Sequence, residues 1–338
     1  MESQKKQALK IKIINWMIIL TSIILGIAFI LSIYFSAQIG NSKNSNNQNI
    51  LDNGHYAVLF IGNETHFISD LKEGILTIAN KNEIAIEFYE VNDIAQATSI
   101  IELLVQAGID GIITQGINDT SFLIALKSVT QAKIPLVLLY TDLAIAERDA
   151  FVGINPFEMG NEIAKLTVAS KATEGNVVFI SQSASLTSEN PASKMNTLGF
   201  LDGLEGYIDP GKVMMKMSLP VMLSAEGLIS ELFIDDQGIT AVVCTNETDT
   251  IGVAQAVVDL NRVGKTTIIG TGFTKEIAEY IDKGVVYGTI YRNPINMGSE
   301  AVLTLINLPE AETYVEIPLD IITKENIDLY RDLIGGKP

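Results

Sequence analysis

The chain has 338 residues, of which 47% are hydrophobic and 19% are charged, and its formal net charge is −17. This length exceeds the usual size of one domain and predicts two domains with additional segments. The apolar content excludes general disorder. So acidic a chain repels phosphate backbones, which excludes nucleic acid as an expected partner.

The amino-terminal segment has the pattern of a membrane anchor. Residues 1–12 carry four lysines and one glutamate, and no charged residue follows until Lys43. The apolar run at 13–37 is long enough to span a hydrocarbon core of about 30 Å. Because positive residues remain on the cytoplasmic side, we expect a cytoplasmic tail at 1–12 and a single transmembrane helix at 13–37 that crosses the cell membrane. The body that follows would be extracytoplasmic.

A cleaved signal peptide is the alternative for this segment. Its apolar region would span only about 7–15 residues, and Tyr34 and Phe35 stand where a cleavage site needs small residues. The apolar run is not followed by a cysteine for lipid attachment, since Cys244 is the single cysteine of the chain. Residues 38–54 are rich in Asn and Ser without hydrophobic periodicity, which predicts a flexible linker.

From Tyr56 onward, short β-branched runs alternate with longer segments of helical period. Strands are predicted at 56–61, 84–89, 111–114, 136–139, 177–180, 213–217, 239–243, 267–270 and 285–290. Helical segments are predicted at 71–79, 94–104, 157–169, 192–205, 225–233, 250–260 and 295–306. This alternation predicts parallel sheets covered by helices, and its restart near residue 155 predicts two α/β lobes. Ligands of such folds bind beyond the carboxyl ends of the strands, which here is the cleft between the lobes.

Catalytic and phosphate-binding motifs are incomplete. Gly264-Lys265-Thr266 resembles the end of a phosphate loop, but Asp259 stands where the first glycine is required. Cys244 lies in a hydrophobic strand, which favours a buried thiol over a nucleophile. One cysteine and two histidines exclude multi-cysteine zinc sites and His-rich metal sites. We therefore expect no enzyme activity, no metal and no cofactor.

Seven short motifs follow one another in the order found in a single family. They are Phe-Ile-Ser-Asp-Leu-Lys-Glu-Gly at 67–74, Asp-Gly-Ile-Ile at 110–113, Ile-Pro-Leu-Val at 134–137, Asn-x-x-x-x-Gly at 155–160, Gly-Phe at 199–200 after Lys194, Asn-Glu-Thr-Asp at 246–249, and Gly-Thr-Ile at 288–290 before Pro294 and Gly298. Through them, residues 55–330 resemble the type I periplasmic sugar-binding proteins, the ribose-binding-protein group. The resemblance implies two Rossmann-like lobes with parallel sheets, joined by a three-segment hinge that closes them over a ligand.

The resemblance also implies where the lobes begin and end. The amino-terminal lobe would comprise 55–141 with 294–321, and the carboxyl-terminal lobe 142–293 with 322–338. Eight positions would face the ligand: Thr65, Phe67, Ile68, Asn118, Lys194, Asn246, Gly272 and Arg292.

Four of these positions belong to the first lobe. Phe67 takes the place of a ring that stacks on the sugar, with a core phenylalanine as the alternative. Ile68 replaces a second aromatic residue, so a two-ring sandwich is incomplete. Thr65 and Asn118 fall where the family places hydroxyl-binding Asn and Asp, or else they cap helices.

The other four positions belong to the second lobe and the hinge. Asn246 matches the family directly, whereas Lys194 replaces an arginine and lacks its planar fork. Arg292 stands where glutamine is usual. Gly272 replaces an aspartate that accepts from two sugar hydroxyls, and a charge-assisted hydrogen bond contributes about 1.5–3 kcal/mol. These changes imply an altered ligand: another pentose or hexose, an anionic sugar derivative, or no small ligand.

Three functions follow as hypotheses. The first is a membrane-anchored, extracytoplasmic sugar-binding protein, held by residues 13–37, whose closure on a monosaccharide signals to a membrane partner such as a sensor histidine kinase. The second is the solute-binding receptor of a sugar ABC transporter, acting with an ABC permease. The third is an enzyme, but the sequence contains no nucleophile–base pair or metal-ligand cluster that supports it.

Overall fold

The computed structural model describes residues 54–62, 65–143, 145–182, 191–219, 224–234, 238–308 and 310–334. The predicted tail and transmembrane helix, and nearly all of the predicted linker, lie outside these residues. Among the helices that are described, none combines the length and the apolar composition that a membrane crossing demands.

Strands and helices alternate along the body, which confirms the predicted α/β class. The strands are β1 (His55–Ile61), β2 (Ala85–Val91), β3 (Gly111–Thr114), β4 (Leu136–Leu139), β5 (Ala150–Gly153), β6 (Asn176–Gln182), β7 (Val213–Ser218), β8 (Ile239–Cys244), β9 (Thr267–Thr271), β10 (Gly288–Tyr291), β11 (Tyr314–Glu316) and β12 (Asp320–Thr323). The α-helices are α1 (His66–Lys81), α2 (Ile94–Ala107), α3 (Thr120–Gln131), α4 (Pro156–Ala169), α5 (Pro191–Gly203), α6 (Ser224–Ile234), α7 (Glu247–Asp259), α8 (Lys275–Asp282) and α9 (Pro294–Ile306). Single 3₁₀ turns stand at Pro210–Lys212, Ile327–Leu329 and Arg331–Leu333.

The described strands form two sheets, and each sheet is the centre of one lobe. The sheet of the first lobe has the order β11-β5-β4-β3-β1-β2, and that of the second lobe has the order β12-β10-β9-β8-β6-β7. Strands β1, β3, β4, β5 and β11 pair in parallel, as do β7, β6, β8, β9 and β10. Strand β12 runs antiparallel to β10 at the edge of the second sheet. The two predicted lobes with mainly parallel sheets are therefore present.

The chain passes between the lobes at three places. It leaves the first sheet after β5 and enters α4, it returns from β10 to α9, and it crosses again from β11 to β12. The first passage lies after Gly153, whereas the resemblance implies one at 141, because β5 pairs with β4 and extends the first sheet. The last passage precedes Asp320 rather than following 321, because β12 pairs with β10 in the second sheet.

Apolar runs explain why the strands lie at the centre of each lobe. Strands β3 and β4 are buried at every position, as expected for parallel strands covered on both faces. Helix α9 packs on α1 at a distance that only glycine permits: a Cβ on Gly74 or Gly298 would overlap the facing helix backbone. This contact fixes α1, whose first turn carries Phe67, against the crossing that carries Arg292.

Candidate functional site

Polar and charged side chains gather where strands of both sheets reach their carboxyl ends. Gln115 follows β3 and Tyr140 follows β4 in the first lobe. In the second lobe, Glu247 begins α7 just after β8, Gly272 follows β9, and Arg292 follows β10. Together with Phe67 of α1 we call these residues the cleft site. Ligands of α/β folds bind beyond this edge of the sheet.

Arg292 joins the two lobes within the cleft site. Its guanidinium carbon Cζ lies 4.1 Å from the centre of the Phe67 ring, a cation–π contact of about 0.5–2 kcal/mol. The Nε atom is enclosed and has no hydrogen-bond acceptor among the described residues. Burial lowers the pKa of Arg292, while Glu247 and Tyr140 oppose that shift. An arginine nonetheless keeps its proton in proteins, so the Nε–H is a buried donor of a cationic group without a described acceptor.

The first lobe contributes a wall whose polar ends are already paired. The Tyr140 ring meets Phe67 edge-on, with ring centres 5.4 Å apart. Its hydroxyl donates to Gln115 Oε1 at 2.6 Å, and the Gln115 amide nitrogen donates to the Ile61 carbonyl at 2.8 Å. Burial raises the pKa of Tyr140 to about 12, so the hydroxyl keeps the proton that this bond needs. The wall is therefore held in place before any ligand arrives.

The second lobe brings a carboxylate to the space above Gly272. Gly272 has a φ of +91°, and a Cβ at this position would overlap Glu247 Cγ and lie 2.6 Å from its Oε1. Burial raises the pKa of Glu247; Arg292 opposes the shift, Asp70 adds to it, and His66 opposes it. The half-buried Glu247 carboxylate is thus placed among groups of both lobes.

Beside Glu247, a buried carboxylate organises the start of α7. Asn246 caps this helix: its Oδ1 accepts from the Asp249 backbone N–H at 2.9 Å, and its Nδ2 donates to Asp249 Oδ2 at 2.5 Å. The same carboxylate accepts from the Ser218 hydroxyl at 2.6 Å. Asp249 is only 2% exposed, and burial raises its pKa, while the bonds from Ser218 and Asn246 oppose the shift. Much of the Asn246 amide is therefore used in holding the helix.

The structure brings together some of the residues that the resemblance implies. Phe67, Gly272 and Arg292 meet in the cleft site, and Asn246 directly precedes Glu247 there. Ile68 is buried in the first lobe, 8% exposed, and its N–H donates to the Thr65 hydroxyl at 3.3 Å, so that Thr65 caps α1.

Asn118 and Lys194 are both exposed. The cap of α3 is Asp119 rather than Asn118, because the Asp119 carboxylate accepts from the N–H groups of Ser121 and Phe122. In the described part of the chain, no hydrogen bond or ion pair links Asn118 or Lys194 to Arg292. Their role as ligand contacts stays a prediction.

Sequence reasoning missed three members of the cleft site: Gln115, Tyr140 and Glu247. A common signal could have found them, since each stands within three residues of the end of a parallel strand. Tyr140 also has a φ of 51°, and such backbone strain in a non-glycine residue concentrates at functional sites.

Other features of the body lie away from this chemistry. Cys244 is a free, buried thiol whose pKa is raised by burial and by Asp249, which agrees with the predicted buried thiol. A cavity of about 330 Å³ lies at the opposite end of the second sheet, near the beginning of β9 and the end of β12. Across the described ranges, His, Cys, Asp and Glu side chains form no group of three that could hold a metal ion.

Comparisons with known proteins agree with this geometry. The family model described as "Periplasmic binding protein domain" matches residues 56–313. The D-allose-binding periplasmic protein of Escherichia coli is 21% identical over 278 residues, which cover 78% of this chain and 87% of the relative. The ABC transporter periplasmic-binding protein YphF of Escherichia coli is 21% identical over 274 residues, 76% of this chain and 82% of the relative.

A solved structure shares the fold over nearly the whole body. The XylFII–LytSN complex contains a chain that superposes with a TM-score of 0.69 at 22% identity, covering 80% of this chain and 98% of that one. A likeness at this identity is one of fold. The family match, which takes in more than half of the chain, places the protein among the periplasmic binding proteins, and the chain belongs to their type I sugar-binding group.

Proposed function

We propose that the protein binds an uncharged monosaccharide in the cleft site and that closure of the lobes is its output. The observation that carries the proposal is that Arg292 and Glu247, two opposite charges that act on each other's pKa without a described ion pair, both stand at the edge where the strands of the sheets end. Arg292 supplies only donors and an ionised Glu247 only acceptors, and sugar hydroxyls serve both. Because the two charges are opposite, a ligand with a net charge of either sign meets one like charge.

The relatives support a sugar as the ligand. One relative is named for binding D-allose, and α/β folds generally bind ligands at the edge of the sheet where Arg292 and Glu247 stand. The aromatic wall formed by Phe67 and Tyr140 supports the same ligand class, because binding pockets combine apolar surface with a few fixed polar groups.

The role of the bound state is the second part of the proposal. The predicted anchor at 13–37 and linker at 38–54 would hold the body outside the cell, close to membrane proteins. A protein of the same fold occurs in a complex with a second protein, XylFII with LytSN, which supports a sensory subunit that reports closure to a membrane partner such as a histidine kinase. The name of YphF favours the alternative, a solute receptor for a sugar ABC transporter.

Calorimetry on the full chain in detergent micelles tests the ligand class. The panel consists of neutral pentoses and hexoses, sugar acids, amino sugars and sugar phosphates. We expect a neutral sugar to bind in the micromolar range, about −8 kcal/mol, with heat that saturates at one ligand per chain. Absence of binding across the panel would contradict the proposal.

The location and the partner need a separate experiment. Protease added to intact cells should remove the body and leave residues 1–37 protected. Crosslinking in the native membrane should then join the body to a sensor kinase, in a manner that changes when sugar is added. Crosslinks to a permease would instead support the transport role, and protection of the whole chain from protease would contradict an external body.

A further inference from the structure

The Glu247 side chain is a half-buried carboxylate that no bond within the described part of the chain engages. Neither of its oxygens takes part in a hydrogen bond or ion pair with the described residues. Partial burial of a carboxylate beside few donors disfavours its charged form, and burial accordingly raises the pKa of Glu247. The carboxylate oxygens are therefore available to hydrogen-bond donors of a ligand that enters the cleft site.

The position of Glu247 depends on the absence of a side chain at Gly272. An added Cβ would overlap Glu247 Cγ and stand 2.6 Å from Oε1 and 2.7 Å from Cδ. The backbone at Gly272 is fixed by the neighbouring strand β10: its N–H donates to the Ile290 carbonyl at 2.8 Å and its carbonyl accepts from the Thr289 hydroxyl at 2.7 Å. Because the Gly272 backbone is held in this way, a side chain at 272 must displace the flexible Glu247 side chain.

Arg292 restricts how a ligand can approach this carboxylate. Its guanidinium lies over one face of Phe67, while Tyr140 meets the same ring edge-on, so the ring supports the arginine. A ligand that reaches the Arg292 donors is thus held beside Glu247 and not flat on that face of Phe67. Ligand recognition then depends on hydrogen bonds to two neighbouring groups, the donor Arg292 and the acceptor Glu247.

We infer that Glu247 accepts the hydroxyl groups of the bound sugar, that Gly272 lacks a side chain in order to seat it, and that Arg292 donates to a neighbouring oxygen of the same ligand. This inference rests on the proposed function and names the specificity-determining carboxylate of its site. The ligand class that fits is a neutral sugar with adjacent hydroxyls, because two such hydroxyls can donate to the two oxygens of one carboxylate.

The test is a double-mutant cycle on the affinity of the full chain for the neutral sugar that binds best in calorimetry. The variants are Glu247→Ala, Gly272→Ala and the double variant, with Glu247→Gln as the isosteric form. Glu276→Gln, at an exposed glutamate in the first turn of α8, is the matched control. Circular dichroism and thermal melts establish that each variant is folded.

We expect Glu247→Ala to weaken binding roughly 10- to 100-fold, the loss of one or two charge-assisted hydrogen bonds. Gly272→Ala should weaken it to a similar extent by displacing the carboxylate. The double variant should bind no more than about threefold worse than Glu247→Ala, because the displaced group is already gone. Glu247→Gln should fall between wild type and Glu247→Ala, and Glu276→Gln should bind as wild type.

Affinity of Glu247→Ala and Glu247→Gln within twofold of wild type would overturn the inference and leave the proposed function standing. If the losses of affinity from Glu247→Ala and Gly272→Ala multiply in the double variant, the two residues act independently. That result would overturn the inference that Gly272 makes room for Glu247. If the wild-type chain binds no neutral sugar, both the proposed function and the inference fail.

Discussion

The two walls of the cleft site differ in how completely their polar groups are paired. In the first lobe, Tyr140 bonds to Gln115 and Gln115 bonds to the end of β1, so the wall is complete without a ligand. In the second lobe and its crossing, Glu247 and the Nε of Arg292 have no described partner. The first wall is a fixed support, and the second holds charged groups that remain available to a ligand.

Removing the arginine should have the largest effect on this asymmetric site. We expect Arg292→Met to weaken sugar binding roughly 100-fold or more, the loss of two charge-assisted hydrogen bonds. The ligand-free chain should lose some stability, since the variant lacks the cation–π contact with Phe67 and the positive charge that faces Glu247. Calorimetry and thermal melts measure the two effects.

The matched control is Arg331→Met, at an arginine whose ion pairs with Asp282 and Asp328 lie on the surface. It should leave the affinity unchanged. Wild-type affinity in Arg292→Met would show that the unpaired groups of the second wall are not those that meet the ligand.

The second largest effect is a dependence of binding on pH through Glu247. Sugar hydroxyls donate to the ionised carboxylate, so affinity should fall as the pH drops through the raised pKa of Glu247. The contribution of Glu247 to the free energy of unfolding of the ligand-free chain should instead increase as the pH drops. Because the folded chain holds this proton more tightly than the unfolded chain, that contribution is complete below the ordinary pKa of 4.5 and is lost as pH rises through the raised value.

Glu247→Gln isolates this titration from the other charged groups that face it. Arg292, Asp70 and His66 all act on Glu247, and they remain in the variant. The fall of affinity between pH 7 and pH 4.5 should therefore be flatter in Glu247→Gln than in wild type, when both are titrated in one buffer series. Parallel pH profiles would show that another group controls binding.

The first wall should respond less to a single change, because its parts support one another. Tyr140→Phe keeps the ring beside Phe67 but removes the hydroxyl that donates to Gln115. We expect a loss of about 1 kcal/mol in the free energy of unfolding and a change of a few-fold in affinity. Tyr207→Phe, at a tyrosine that is 65% exposed, should change neither in the same denaturant titrations.

The smallest effect is expected at Lys194, which the resemblance assigns to the ligand and which the structure places at an exposed position. An exposed hydrogen bond contributes about 0.5 kcal/mol, so Lys194→Met should weaken binding about two- to threefold. A loss comparable to that of Arg292→Met would mean that Lys194 is enclosed on closure and that the second wall extends to α5.

Much of the fold follows from the sequence because parallel strands are apolar along their whole length. Strands β3 and β4 were predicted at their observed bounds for this reason. The sequence does not indicate β5, because Ala150–Gly153 contains alanine and glycine in place of a β-branched run and has no helical period directly before it. The position of the first crossing depends on that one short strand, and so the implied lobe boundary differs from the observed one.

The cleft site is predictable from the sequence only where a single residue departs from the family pattern. Arg292 and Gly272 stand out in the sequence because each departs from the family pattern. The reason for a glycine at 272 cannot be read from the sequence, since it depends on the direction in which the Glu247 side chain points from the start of α7. Side chains of adjacent parallel strands meet through register and turn geometry, which residue spacing does not specify.

The most direct test of this account is to titrate one neutral aldohexose and its uronic acid, side by side, into the full chain. The two ligands should be derived from the best-binding hexose and differ only in the carboxylate. The account predicts micromolar binding of the aldohexose and at least tenfold weaker binding of the uronic acid, because its charge opposes Glu247. Tighter binding of the uronic acid would contradict it, and would mean that Arg292 alone defines the ligand.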